Sequence, residues 1–149
     1  YDPCLDECFY AWKGGGAYLN GQSLQVSSVR SMEASFVVTE LPYNSEQYAR
    51  TGEYLIRELY GRVAGIRMNG SAAIALCYVA AGRFDAWLEA FLGKWDFSAA
   101  ALIVQEAGGR VTDFYGNAGF IDGHHVVATN GWLHPFLLEL VQKAMPLGM

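Results

Sequence analysis

Positive charge is scarce in this sequence. Ten lysines and arginines face fifteen aspartates and glutamates, for a formal net charge of −5. No basic stripe is visible, which argues against a partner bound through a nucleic-acid backbone. A local anion site remains open, because backbone N–H groups bind phosphate without net positive charge. Proline is equally sparse, with four in 149 residues, and no polar low-complexity run occurs, so disorder is not the reading. The three cysteines, Cys4, Cys8 and Cys77, are an odd count without paired spacing, which does not make a disulfide framework. Cys4 and Cys8 form C-x3-C with no second ligand pair, short of the four ligands a structural zinc needs. Reduced thiols in a cytoplasmic protein are the expectation. Long apolar runs are missing too: "MNGSAAIALCYVAAG" is too short and too rich in small residues to span a bilayer. No signal peptide opens the chain, and "YDPCLDECFYAW" reads as the middle of a domain.

What is present is apolar. Half the residues, 52%, are hydrophobic, enough for a real core in one domain. The first part reads as hairpins. "CFYAW" is aromatic and β-prone, "KGGGAYLNG" places two turn signals around a short strand, and "QSLQVS" is another strand. "ASFVVTEL" reads as a buried strand stopped by Pro42. "NSEQYARTGEYLIRELYG" follows as a helix capped by Asn44 or Ser45 and closed by Gly61. Strands and helices then alternate. "RVAGIRM" is a strand, "GSAAIALCYVAAG" a helix ending at Gly82, and "RFDAWLEA" a strand. "WDFSAAALIVQEAGG" is a helix, "RVTDFYG" and "HHVVATN" are strands, and "GWLHPFLLELVQKAM" is a final helix with Pro135 in its first turn. Such alternation predicts an α/β layered domain over 1–149, with a mixed, largely parallel sheet flanked by helices.

Ligands in such folds gather where strands end and helices begin. Three points converge there. The free N–H groups of Gly70, Ser71 and Ala72 open a helix and can face an anion. Glu89 ends a strand otherwise built to be buried. Asp96 opens the next helix as its N-cap, seven residues on, so it lies near Glu89. Two carboxylates and an anion-ready helix start suit a phosphate or hydroxyl-rich ligand, with a divalent metal between them. One aspartate does not complete such a metal site. The other acids considered, Asp2, Asp6, Glu7, Asp85, Glu106, Asp113 and Asp122, form no compact cluster. His124 and His125 are adjacent in a strand and face opposite ways; with His134 they read as structural or surface groups. Gly14 to Gly16 form a turn, not a nucleotide-binding loop, which needs a helix directly after it.

The succession "IRMNGSAAIALCYVAAGRFDAWLE…GKWDFSAAALIVQEAGGRVTDFYG" resembles the C-terminal half of the inositol monophosphatase family. "DECFYAWKGGGAYLNGQSLQVS" and "HHVVATNGWLHPFL" resemble the flanking parts. The resemblance implies the C-terminal half of an αβαβα sandwich. It also implies Mg2+-dependent hydrolysis of a phosphate monoester, inositol monophosphate foremost, by metal-activated water. Asp96 then matches a ligand of a catalytic metal, Glu89 a contact to substrate hydroxyls, and Gly70, Ser71 and Ala72 the lining of the substrate pocket. It implies a small-molecule ester as partner, neither nucleic acid nor membrane, and a homodimeric parent. The family's Glu-Glu pair and D-P-x-D-G-T motif do not occur here, so the chain is expected to be a fragment, inactive alone. A 3'(2'),5'-bisphosphate nucleotidase, a sugar bisphosphatase and a non-catalytic binding domain on the same fold stay open. Ser98 stands where the family has a smaller apolar residue, and its hydroxyl is expected to bond back to a helix carbonyl.

Overall fold

Two sheets and four helices build the chain, seen in a computed structural model that describes residues 1–41, 46–122 and 124–145, with the backbone alone for Glu46, Gln47 and Asp122. Strands β1 (Phe9–Ala11), β2 (Ala17–Leu19) and β3 (Gln22–Ser23) form an antiparallel sheet in that order. Its first turn contains Gly14 and Gly16, both at positive φ, where glycine carries no Cβ penalty. The Glu106 carboxylate accepts the N–H of each, at 2.8 and 3.0 Å. Tyr10, Trp12 and Tyr18 stack on one another along this sheet.

The second sheet has five strands in the order β5 (Gly65–Arg67), β4 (Phe36–Thr39), β6 (Ala86–Ala90), β8 (His125–Thr129), β7 (Arg110–Thr112). Both neighbours of β4 run parallel to it, with Val37 opposite Ile66 on one side and Ala86 on the other. Both partners of β8 run antiparallel, so the sheet is mixed. Helices α1 (Glu46–Leu59) and α4 (His134–Ala144) cover one face. Their Leu55, Leu59, Leu137 and Val141 pack on Val37, Ala86, Leu88 and Val127. Helices α2 (Ala72–Ala80) and α3 (Lys94–Glu106) cover the other, burying Val79, Phe97 and Val104 against Val38, Trp87 and Val126. Alternate residues of β6 thus serve opposite cores, as strand geometry requires. Phe9 and Ala17 of the small sheet join the α2–α3 core. The layers run α1/α4, large sheet, α2/α3, small sheet.

Elements are shorter than the sequence patterns. The segment 62–68 contributes only Gly65–Arg67 to the sheet, and 83–90 only Ala86–Ala90. Asp85, just before β6, is tied by its backbone, its N–H donating to Phe36 O and its carbonyl accepting from Asn130 N–H, each at 3.0 Å. It is buried and accepts the Ser27 hydroxyl at 2.5 Å and the Phe36 N–H at 2.6 Å. The stop at Pro42 and the caps Asn44 and Ser45 lie outside the described residues. Ser98 Oγ donates to Lys94 O at 2.6 Å, the expected back-bond. His134 is fully buried between Thr112 and Thr129, a structural group as its position suggested.

Candidate active site

The chain leaves β4 through α1 toward β5, and leaves β6 through α3 toward the β7 side. Adjacent parallel strands whose connections depart in opposite directions open a crevice between their carboxyl ends. A cavity of about 340 Å³ lies there, lined by Glu40, Gly70, Ser71, Ala72, Glu89 and Asp96, with Phe91 and Trp95 at its edge. All five residues singled out by sequence are therefore in one place. A larger groove of about 530 Å³ lies between α1 and α4. Its cations are engaged, Arg62 with Glu58, Lys143 with Glu139 and Arg30 over the Trp132 ring, and its lining shares no residue with the cavity at the strand ends.

Asp96 corrects one expectation. It is not the N-cap: Gly93 is, and Asp96 sits three residues on, inside the first turn of α3. Its Oδ2 reaches back to accept the Gly93 N–H at 2.8 Å, while its own N–H donates to Gly93 O at 3.0 Å. The carboxylate still suits the positive helix end. A Cβ at 93 would fall 2.4 Å from the exposed Trp95 ring, which would have to turn aside.

The helix start at Asn69–Ala72 brings a second correction. Ser71 is the N-cap of α2, its Oγ accepting from Ile74 N–H at 3.5 Å. The Gly70 N–H is not free for a ligand. Glu40 Oε1 accepts it at 2.8 Å, together with the Asn69 N–H at 2.5 Å. Gly70 has φ +73, so the turn falls in the left-handed region that glycine fills. The amides of Ser71 and Ala72, at the head of the helix, have no intrahelical acceptor and line the cavity.

Glu40 was not found by sequence reasoning, where it reads as a polar residue at a strand end. No local signal marks it, because the Asn69 and Gly70 amides it accepts are 29 and 30 residues away. Glu89 is half-buried, and its Oε2 has no hydrogen-bond partner among the described residues. Burial, then the charges of Glu40 and Asp96, push its carboxyl up to about 7. Three carboxylates thus line one cavity, and the least solvated of them holds a proton well above the ordinary range.

Among the described residues no group of three His, Cys, Asp or Glu side chains is arranged to hold a metal ion. Asp96, with one oxygen on Gly93, and Glu89, with one buried unpartnered oxygen, fit part of a cation's oxygen shell. Cys4 and Cys8 are exposed and free, and Cys77 is buried and free. No helix among the described residues is long and apolar enough to cross a membrane.

Comparison with known proteins agrees with this fold. The chain is 44% identical over 147 residues to the Nus factor SuhB of Pseudomonas aeruginosa, covering 97% of this chain and 54% of that protein. It is 37% identical over 148 residues to the inositol-1-monophosphatase of Rhizobium meliloti, covering 98% and 55%. The crystal structure of the extragenic suppressor protein suhB from Bartonella henselae superposes with a TM-score of 0.90 at 36% identity, covering 96% of this chain and 55% of that one. The chain spans about half the length of the curated relatives it matches. With residues 1–145 matched by the family's own model, and with its fold, the chain belongs to the inositol monophosphatase family.

Proposed function

We propose that this chain is the C-terminal half of a Mg2+-dependent phosphatase of the cytoplasm, and that its cavity forms one wall of the active site. The substrate is the phosphate monoester of a small polyol, inositol monophosphate first. The observation that supports this is the meeting of Glu89, Asp96 and the Gly70–Ala72 helix start around one cavity at the carboxyl ends of parallel strands. Mg2+, when bound, supplies an activated water and charge neutralisation at the phosphoryl group. Asp96 would hold it with further ligands from outside this chain.

The chain's own residues do the rest. The Ser71 and Ala72 amides at the head of α2 point a positive dipole end at an anion, and bind the ester without a basic side chain. Glu89, on the cavity lining, accepts substrate hydroxyls, or donates to them when protonated. Glu40 holds the Asn69–Gly70 turn in place.

Alone, the chain is inactive and binds Mg2+ weakly, since one carboxylate does not complete the shell. The complete protein works as a homodimer on a small-molecule ester, without nucleic acid or membrane. Phosphate release from inositol 1-phosphate with Mg2+ tests the proposal, in the complete protein and its Asp96→Asn variant. Release that the substitution abolishes is the expected result; no release from the unsubstituted protein overturns it. Good activity on adenosine 3',5'-bisphosphate beside none on inositol phosphates would move the substrate to bisphosphates. The absence of a three-ligand cluster among the described residues favours, as second reading, a non-catalytic binding domain.

A further inference from the structure

Phe91 has φ +67, in the left-handed region where a bulky side chain is strained. Its neighbours impose this. Ala90 is in the ladder opposite His125. Leu92 is clamped twice by His124: its N–H donates to the His124 carbonyl at 3.0 Å, and its carbonyl lies 2.9 Å from His124 Nδ1, which donates to it. The conformation is thus fixed by the strand and by residue 124, and a glycine at 91 would adopt it without strain. Burial does not account for the phenylalanine either. Its side chain is 57% exposed, with one tilted contact to the Tyr48 ring at 5.7 Å between centroids. What Phe91 does have is position: it is among the residues that line the cavity, between Glu89 and Asp96 in the chain.

We propose that Phe91 is a specificity-determining residue, whose exposed ring packs on the C–H face of a cyclic polyol while Glu89 takes its hydroxyls. This rests on the proposed function. A cyclohexane or pyranose ring offers a flat apolar face to an aromatic ring, whereas an acyclic polyol does not. The residue therefore selects cyclic over acyclic phosphate esters.

Steady-state kinetics of the complete protein with inositol 1-phosphate and glycerol 2-phosphate test this. Phe91→Gly is expected to raise KM for inositol 1-phosphate about three- to tenfold, the size of a lost ring contact. It should leave kcat, and KM for glycerol 2-phosphate, within about twofold. Phe91→Tyr, which keeps the flat face, restores the lower KM. The glycine variant should also keep its Tm within roughly 4 °C, since relief of strain offsets the lost Tyr48 contact. Equal changes for both esters, or none, overturn the assignment. So does a Tm loss beyond about 10 °C, which would make Phe91 a packing residue. An unsubstituted protein that hydrolyses neither ester overturns the proposed phosphatase instead. Calorimetric binding of inositol 1-phosphate then decides Phe91: weakening in Phe91→Gly sustains its role, and equal or absent binding ends it.

Discussion

His134 Nε2 lies 3.0 Å from Thr112 Oγ1, and the direction of that bond can be assigned. Thr112 spends its hydroxyl proton on the Asp113 carbonyl at 2.8 Å, so it accepts from the imidazole. Nε2 therefore carries the proton, and Nδ1 accepts from the Thr129 hydroxyl at 3.1 Å. Both ring nitrogens are satisfied in the neutral form, in a site with no solvent exposure. Burial, with the Arg110 charge, pushes the group down to about 4.

The stability consequence has a definite sign. Below the ordinary histidine range the unfolded chain takes up a proton that the folded chain refuses. The His134 share of stability is therefore full above about pH 6.5 and falls as pH drops to about 4, by about 3 kcal/mol in all. Glu89, pushed up to about 7, gains stability as pH falls over the same interval, so the His134 share is read as the difference between the urea-midpoint profiles of the unsubstituted protein and its His134→Gln variant from pH 7 to 4. His134→Gln should be less stable at pH 7 and lose less as pH falls; a variant profile parallel to that of the unsubstituted protein would remove His134 as the cause.

Asp85 ties three parts of the chain together: Ser27, the start of β4 at Phe36, and Asn130, whose N–H donates to the Asp85 carbonyl. The Asn130 amide extends the tie to Ser27 Oγ and Val29 O. Asp85→Ala leaves part-buried donors, the Ser27 hydroxyl and the Phe36 N–H, without their acceptor and should cost about 2 kcal/mol. Denaturant unfolding measures it, and a cost under about 1 kcal/mol would show that the donors find other acceptors.

Gly82 ends α2 at φ +69, and a Cβ there would lie 3.2 Å from Ser27 N and 3.3 Å from Gln25 O, both backbone atoms. Gly82→Ala combines left-handed strain with a close contact that only a backbone shift relieves. A loss of about 2 kcal/mol is expected, read as a lower Tm.

Asp96→Asn separates catalysis from folding. An amide oxygen still accepts the Gly93 N–H, so stability should change by under about 1 kcal/mol. Phosphate release by the complete protein should fall by roughly a hundredfold or more. A variant that loses both would place Asp96 among the structural groups.

Thiol labelling should give two fast cysteines, the exposed Cys4 and Cys8. Cys77, buried and pushed up to about 11, should react only on unfolding. Three fast thiols in the native protein would contradict the α2–α3 packing.

The alternation of patterns was enough to read the layered fold, because apolar period and turn residues are local. The back-bond of Ser98 was legible for the same reason: its acceptor is one helical turn away. Asp96 shows where local reading stops. A cap and an N3 carboxylate both sit at a helix start, and only the backbone of Gly93 separates them. Glu40 was illegible for a different reason. Its partners are 29 and 30 residues away, and what joins them is the central place of β4 between β5 and β6. The sequence shows the strand but not its neighbours. Phe91 was not legible either, since a positive φ leaves no mark in a residue type that rarely adopts one.

Helix α3 carries Asp96 in its first turn and Glu106 at its last residue, thirteen residues spanning about 20 Å. At one end the carboxylate grips Gly93, and at the other it grips the glycine turn of the small sheet. The helix is a strut pinned at both ends. The hairpin, though remote from the cavity, is therefore an anchor of the helix that carries Asp96.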